Sequence, residues 1–358
     1  MKGLLLAGGY GTRLRPFTFC RNKHMIPVAN RPMVFHALDR FARAGITEVG
    51  VVLGPMGEGI RTAVGDGRSF GLRVSYVEQG EPKGLAHAVL IARDFLGKEP
   101  FVMHLGDNFL QEGLAPFVSE FRASHPAAVI GAVQVDHPSY YGVVEFDGAD
   151  RIARLREKPA NPTSRWALTG IYLFTNAIHD VIDSLPPSER GELEITDAIE
   201  ELRRRTDDVR AVRLKGWWLD AGRPSDLLLA NEHLLTDLGA AARARGAASS
   251  VLLGTDCSVA DSVALRGPVL IGNGVRLEGR SVIGPNVSIG DRSVVRDSSL
   301  SGSMVFDECQ LTGPLQLTAS ILGSRSRVTG IASSAARLDS LLLGDDSVVR
   351  LDRRLDSP

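Results

Sequence analysis

Residues 4–18, LLLAGGYGTRLRPFT, have the makings of an anion site. Gly8, Gly9 and Gly11 carry no Cβ, so backbone N–H groups there can come close to a negatively charged oxygen. Arg13 offers a planar, permanently charged fork for phosphate oxygens. Lys23, just before HMIPV, adds a point charge. Neither common phosphate-loop pattern accounts for the stretch. A Walker A loop needs GxxxxGK[ST], and no such string follows Gly8. The dinucleotide fingerprint needs a third glycine where Leu14 stands. By itself the segment also fits a plain strand-to-helix turn with solvated arginines. Asp107, in LGDN, is a carboxylate just beyond an apolar run, where a lone aspartate is often a turn or cap residue.

The elements that would hold these groups alternate in type up to about residue 240. Residues 3–8 read as a buried strand and 33–44 as a helix, with Val34, Leu38 and Phe41 on one face. Residues 48–53 form a second apolar strand, 85–95 a helix and 100–105 a strand. Such alternation predicts a mainly parallel, doubly wound α/β sheet. In sheets of that kind ligands bind at the carboxyl ends of strands. The glycine loop and Gly106-Asp107-Asn108 both follow strands in that way. Residues 239–250, GAAARARGAASS, read as a linker or helix end.

Beyond the linker the texture changes. Ile271, Leu277, Ile283, Ile289 and Val295 fall six residues apart, and Gly272, Gly284 and Gly290 follow three of them. A hexapeptide period predicts a β-helix whose stacked coils bury a column of aliphatic side chains that no single repeat could bury. The period loosens after Leu300, although ILGSRS and LLGDDS echo it, and residues 352–358 are expected to fray. Two domains follow: 1–240, and 241–358 as linker plus β-helix.

Composition narrows the function classes. At 358 residues, 44% hydrophobic and 23% charged, the chain has the apolar content for two ordinary globular cores. A net charge of −1 leaves no global basic surface for nucleic acid, so polyanion binding must come from a local site. Cys20, Cys257 and Cys309 are odd in number and far apart, which argues against a disulfide framework or thiolate zinc site. Free thiols fit a reducing cytosol, and a cytoplasmic location is expected. The apolar start is too short for a signal peptide, and no run approaches the roughly 20 residues of a membrane span.

The string LAGGYGTRLRPFT, then Lys23, Pro27-Val28 and Arg31-Pro32-Met33, closely resembles the opening of the sugar-1-phosphate nucleotidylyltransferases. Within that family it is most similar to the glucose-1-phosphate thymidylyltransferases, over about residues 1–240, and the hexapeptide tail resembles that of long-form members. The resemblance implies a Rossmann-like doubly wound mixed sheet, the nucleotidyltransferase fold, followed by a left-handed parallel β-helix. It implies that a nucleoside triphosphate and a sugar 1-phosphate are joined and pyrophosphate released, with Mg2+ as cofactor and a homo-oligomeric assembly. Leu6, Gly8, Gly9, Gly11, Thr12 and Arg13 would wrap the nucleotide, with Arg13 and Lys23 on the leaving pyrophosphate. In QGEPKGLAHA, Gln79 and Gly84 would meet the base edge. An amide donates and accepts at once, as a pyrimidine edge requires. Asp107 and Asp220, the latter in GWWLDAG, would be the Mg2+ ligands. Thymidylyltransferases usually carry Thr where Ala221 stands, which leaves the base open. YYGVVEFD, REKP, LTGIY and ERGELEITD carry the sugar side. Gly142, Glu157, Thr169 and Gly170 would line the hexose, and Lys158 and Arg190 would meet its phosphate. Without the resemblance, Glu157-Lys158 reads as a solvated charge pair.

The implied chemistry needs no enzyme nucleophile. No Ser-His-Asp or Cys-His arrangement has to be invoked, and the eight histidines are given no role. The leading substrates are dTTP and glucose 1-phosphate. The alternatives are UTP, GTP or ATP, or a cyclitol 1-phosphate. A β-helix acyltransferase would want a histidine base, and none follows His233. A silent regulatory subunit should have lost charged groups that Arg13, Lys23, Asp107, Lys158 and Asp220 retain.

Overall fold

A computed structural model describes residues 1–149, 151–330, 337–338 and 340–351. Residues 352–358, expected to fray, lie outside the described residues. The chain divides into two compact units: Met1–Tyr10 with Met33–Asp220, and Gly11–Pro32 with Ala221 onward.

The first unit is built on strands β1 (Lys2–Ala7), β2 (Glu48–Leu53), β3 (Arg73–Glu78), β4 (Phe101–Leu105), β6 (Ala128–Gln134), β7 (Gly142–Phe146), β8 (Ile152–Glu157), β9 (Trp166–Phe174) and β10 (Val209–Arg213). They form one nine-stranded sheet in the order β8-β7-β9-β4-β1-β2-β3, with β6 along the other edge of β9 and β10 beyond it. β1 to β4 are mutually parallel. Parallel strands are covered on both faces and therefore read as unbroken apolar runs; Leu4, Leu5, Val51, Val52, Val102 and Met103 are buried accordingly. The other half is mostly antiparallel, β9 against β4, β6 and β7, and β7 against β8, with β10 parallel to β6, so the sheet is mixed. A two-stranded antiparallel ribbon, β5 (Asn108–Leu110) with β11 (Trp218–Asp220), stands apart from it.

The helix expected over 33–44 runs Met33–Arg43, with Val34, Leu38 and Phe41 buried. That over 85–95 is two helices, Leu85–Ile91 and Arg93–Leu96, broken where Ala92 leaves helical geometry at φ −87° and ψ 2°.

In the second unit the helix Pro224–Ala244 precedes short strands that stack in parallel from Val251 to Leu351. Ile271 pairs with Ile289 and Leu277 with Val295, eighteen residues on in each case, so one coil holds three six-residue sides. All five positions of the period are buried. Later coils shorten: Ile289 pairs with Val305 and Leu300 with Leu317. Ile321 then pairs with Leu342, a longer step. These changes in coil length are why the repeat loosens after Leu300. Asparagine and aspartate at one corner tie coil to coil: Asn273 Oδ1 accepts the Thr255 amide at 2.9 Å, Asp291 Oδ1 that of Asn273 at 2.7 Å, and Asp307 Oδ1 that of Asp291 at 2.9 Å. No helix among the described residues is long and apolar enough to cross a membrane.

Candidate active site

In the order β3-β2-β1-β4 the connections reverse direction between β1 and β4, and an open α/β sheet offers a crevice at the carboxyl ends of such strands. β1 ends at Ala7 and feeds Gly8 and Gly9; β4 ends at Leu105 and feeds Gly106 and Asp107. Leu6 is in register with Leu105, and the Gly106 amide donates to the Leu6 carbonyl at 3.0 Å. The glycines and the aspartate therefore leave neighbouring strands at one level. The Leu6 side chain is buried, so only its backbone can serve a ligand.

Gln79 follows β3, its amide bonded to the Leu53 carbonyl at 2.7 Å. A Cβ on Gly8 would stand 2.9 Å from Gln79 Oε1, so glycine is what admits that amide here. Gln79 Nε2 lies 3.1 Å from His87 Nδ1. Burial, and then Lys83, hold the His87 pKa below its ordinary value. A neutral imidazole can accept at Nδ1, so the pair orients the Gln79 amide. Gly84 precedes the helix Leu85–Ile91 at φ 101°, and a Cβ there would collide with the Leu193 carbonyl. The Ala86 amide donates to that carbonyl at 3.0 Å and the Leu193 amide to Lys83 O at 2.8 Å, which ties this turn to the segment after Arg190.

The carboxylates sit at the β5–β11 ribbon. Asp220 is paired with Asn108, and Asp107 immediately precedes Asn108. Asn108 Nδ2 donates to Asp107 Oδ1 at 3.1 Å, while the Trp218 indole N–H is shared between Asn108 Oδ1 at 3.0 Å and the Thr169 carbonyl at 2.9 Å. Gly170, at φ 70°, lies where the β9–β6 register shifts, and its missing Cβ leaves room for Leu105 and Asn108 Oδ1. Thr169 is fully buried; its hydroxyl has no hydrogen-bond partner among the described residues and lies close to the Gly131 backbone.

A third group gathers around Glu157, in register with Gly142. A Cβ on Gly142 would stand 2.7 Å from Thr196 Oγ1 and 3.2 Å from Glu157 Oε2. Thr196 donates to Glu157 Oε2 at 2.6 Å. Glu157 Oε1 faces Lys158 Nζ at 3.4 Å and Arg190 Nη1 at 3.7 Å, and Arg190 also bonds Glu194 at 3.1 Å. Burial, then the charge of Glu157, push the Glu194 and Asp197 pKa values up. The cluster borders a cavity of about 870 Å³ onto which Arg154, Arg156 and Arg204 also open.

In the second unit, Gly11 takes φ 64° ahead of a short turn, Thr12–Leu14. Its carbonyl accepts the Thr18 hydroxyl at 2.8 Å, and a Cβ would stand 2.8 Å from that of Lys23, so the Lys23 stem packs on the glycine. Thr12 and Arg13 are exposed and Lys23 half-buried. Arg13 Nη2 lies 2.8 Å from where a Cβ on Gly222 would be. The Asp226 pKa is raised by burial against the opposing pull of Arg223 and Arg13.

The structure thus brings Leu6, Gly8 and Gln79 together, Asp107 and Asp220 together, and Gly142, Glu157, Lys158 and Arg190 together in the first unit, while Gly11, Thr12, Arg13 and Lys23 group in the second. Sequence reasoning passed over His87, Asn108, Trp218 and Thr196. All four lie inside the strings that drew attention, LAHA, LGDN, GWWLDAG and EITD, but each has a partner 8 to 110 residues away.

Residues 2–237 match the family model described as nucleotidyl transferase. The glucose-1-phosphate thymidylyltransferase of Streptomyces griseus is 42% identical over 97% of this chain and 98% of its own length. That of Streptomyces antibioticus is 41% identical over 98% and 99%. A structure of UDP-glucose pyrophosphorylase complexed with UDP-glucose superposes with a TM-score of 0.60 at 26% identity, covering 66% of this chain and 98% of that one.

Proposed function

The chain belongs to the nucleotidyl transferase family, and from that membership we propose that it transfers a thymidylyl group from dTTP to glucose 1-phosphate and releases pyrophosphate. A phosphate oxygen of the sugar attacks the α-phosphorus in line; the bond from that phosphorus to the β-phosphate oxygen breaks, and pyrophosphate carries the electron pair away. The attacking oxygen is already anionic near neutrality, so no side chain need be acylated or phosphorylated. The obstacles are repulsion between two polyanions and the alignment of their reacting atoms.

In this reading the backbone of Leu6, Gly8, Gly9, Gly11 and Thr12 follows the nucleotide, and Arg13 and Lys23 oppose the charge that grows on pyrophosphate. Gln79 and Gly84 meet the base. Gly142, Glu157, Thr169 and Gly170 hold the hexose, and Lys158 and Arg190 its phosphate. Fixing both substrates removes an orientational cost worth up to about 7–11 kcal/mol in favourable cases. Asp107 and Asp220 suit Mg2+, a hard cation that takes oxygen donors and only one or two protein carboxylates. Asn108 supports this by occupying one Asp107 oxygen from the side, which turns the carboxylate rather than neutralising it. When bound, the ion would draw charge from phosphate oxygens. The free thiols of Cys20, Cys257 and Cys309 fit a cytoplasmic setting, and a homo-oligomer belongs to the same reading.

The observation that carries the proposal is the shared level of Gly8 and Asp107 on adjacent strands, with Asp220 one ladder position away. A second reading exchanges thymine for uracil, since both present the same edge to Gln79 and the position usually held by Thr is the buried Ala221. Pyrophosphate release with Mg2+, glucose 1-phosphate and each of the five triphosphates in turn separates them. The expected order is dTTP ahead of UTP, with the purine nucleotides far behind. Asp107→Asn and Asp220→Asn should each cost at least about a hundredfold in kcat with melting unchanged. Wild-type rates in both would remove the metal assignment.

A further inference from the structure

The arm formed by residues 11–32 is fastened to the β-helix at several levels, all within the second unit. Phe17, fully buried, packs on Phe306 with ring centroids 6.2 Å apart. Asn30 Nδ2 donates to the Ile289 carbonyl at 2.7 Å, and the Ala29 amide to Asn231 Oδ1 at 2.9 Å. Arg21 reaches furthest along the chain. Its guanidinium lies 5.7 Å from the Phe306 ring, donates to Ser324 Oγ at 3.2 Å and forms an ion pair with Asp345. The Asp345 side chain is only 8% exposed.

Asp345 belongs to the corner column that ties coil to coil, since its Oδ1 accepts the Ser324 amide at 2.9 Å. Its other oxygen faces away from that task and meets Arg21. Among the column's members Asn273 and Asp291 complete the same corner bond, their oxygens accepting from the neighbouring coil. The charge on Asp345 is therefore surplus to the β-helix, and its partner lies two residues before Lys23. A surface ion pair contributes little, but one removed from water and hydrogen-bonded fixes a geometry, and losing one member leaves a buried charge unpaired. Lys23 follows in the short turn Lys23–Met25, capped by Asn22, whose Oδ1 accepts the His24 amide at 2.9 Å. Between Arg21 and that turn there is only Asn22, so displacement of Arg21 is passed on directly.

We propose that Asp345 and Arg21 are positioning residues: through their ion pair the β-helix holds the turn that carries Lys23, and so governs affinity for the triphosphate. This rests on the reading in which Lys23 faces the leaving pyrophosphate. It gives the β-helix a part in nucleotide binding without a residue of its own on the substrate.

Asp345→Asn is the sharp variant, because it keeps the corner acceptor and removes the charge and the acceptor that face Arg21. The dTTP dissociation constant, read by calorimetry, should rise roughly tenfold. The KM for dTTP should follow, while the KM for glucose 1-phosphate stays within about twofold. Arg21→Gln should match it, and the double variant should be no worse than either single one. Asp291→Asn, the same change in the same column at a carboxylate that meets Asn273, should leave both constants unaltered. A general loosening of the β-helix would move Asp291→Asn as well, or both KM values together, and would overturn the proposal; so would unchanged dTTP binding in Asp345→Asn. If Asp345→Asn does not fold, Arg21→Gln carries the test from the arm side. Wild-type turnover reads the function separately. Silence with dTTP and glucose 1-phosphate, alongside the expected shift in dTTP binding, would sink the substrate assignment and leave the positioning role standing.

Discussion

In the proposed reading Gln79 meets the base; a side-chain amide can turn either its oxygen or its nitrogen toward it, and His87 decides which. With Nε2 engaged by a neutral imidazole, Oε1 is left on the Gly8 side as an acceptor. Thymine and uracil present an N3–H there, whereas cytosine presents a lone pair. His87→Leu should free the amide to rotate, and the preference for dTTP over dCTP in kcat/KM should narrow roughly tenfold. The pH dependence has a definite sign. Burial and Lys83 hold His87 below its ordinary value, so it is neutral at pH 7 and acid protonates Nδ1. The KM for dTTP should therefore climb on the acid side of the His87 transition and stay flat above it. His87→Leu should lose that limb, and an unchanged limb would assign it to another group.

At the scale of elements, the β5–β11 ribbon is a support for two carboxylates, and Trp218 is its fastener. One indole N–H serves both Asn108 Oδ1 and the Thr169 carbonyl, so ribbon and sheet share a donor. Trp218→Phe keeps most of the packing and orphans two acceptors. We expect kcat to fall roughly tenfold with both KM values little changed, because the loss falls on alignment of Asp107 and Asp220. Gly84→Ala tests the other support. A Cβ meets the Leu193 carbonyl and φ is positive, so stability should drop by roughly 1–3 kcal/mol in a denaturant melt. These supports mark the limit of what the residues disclose unaided. The glycine loop, Asp107 beyond its strand and the buried column from Ile271 to Val295 were legible, because glycine content and hydrophobic period are local properties. The antiparallel half of the sheet was not, since helix–strand alternation does not record strand direction. Nor was the break at Ala92, a residue with high helix propensity, or the pairing of His87 with Gln79, which depends on the helix start after Gly84.

For the whole molecule, the grouping of residues 11–32 with the β-helix changes what removing that domain would do. In a stacked-coil architecture each coil is stabilised by its neighbours, and Phe306, Ser324 and Asp345 come from three successive levels. A chain ending at Ala244 keeps Asn231 for the Ala29 amide, but it loses every partner named for Phe17, Arg21 and Asn30. Phe17 alone would return a full aromatic surface to water, worth about 1.5–3 kcal/mol. That is enough to shift an arm of some twenty residues toward an open ensemble. Brief trypsin digestion should then cut after Arg13 or Arg21 at least about tenfold faster in the shortened chain than in the full one, with dTTP protecting the full chain and failing to protect the short one. Cleavage sites identified by mass spectrometry give the answer directly. Equal rates at those two arginines would mean that the arm's order owes nothing to the coils, and the β-helix would return to being a structural appendage.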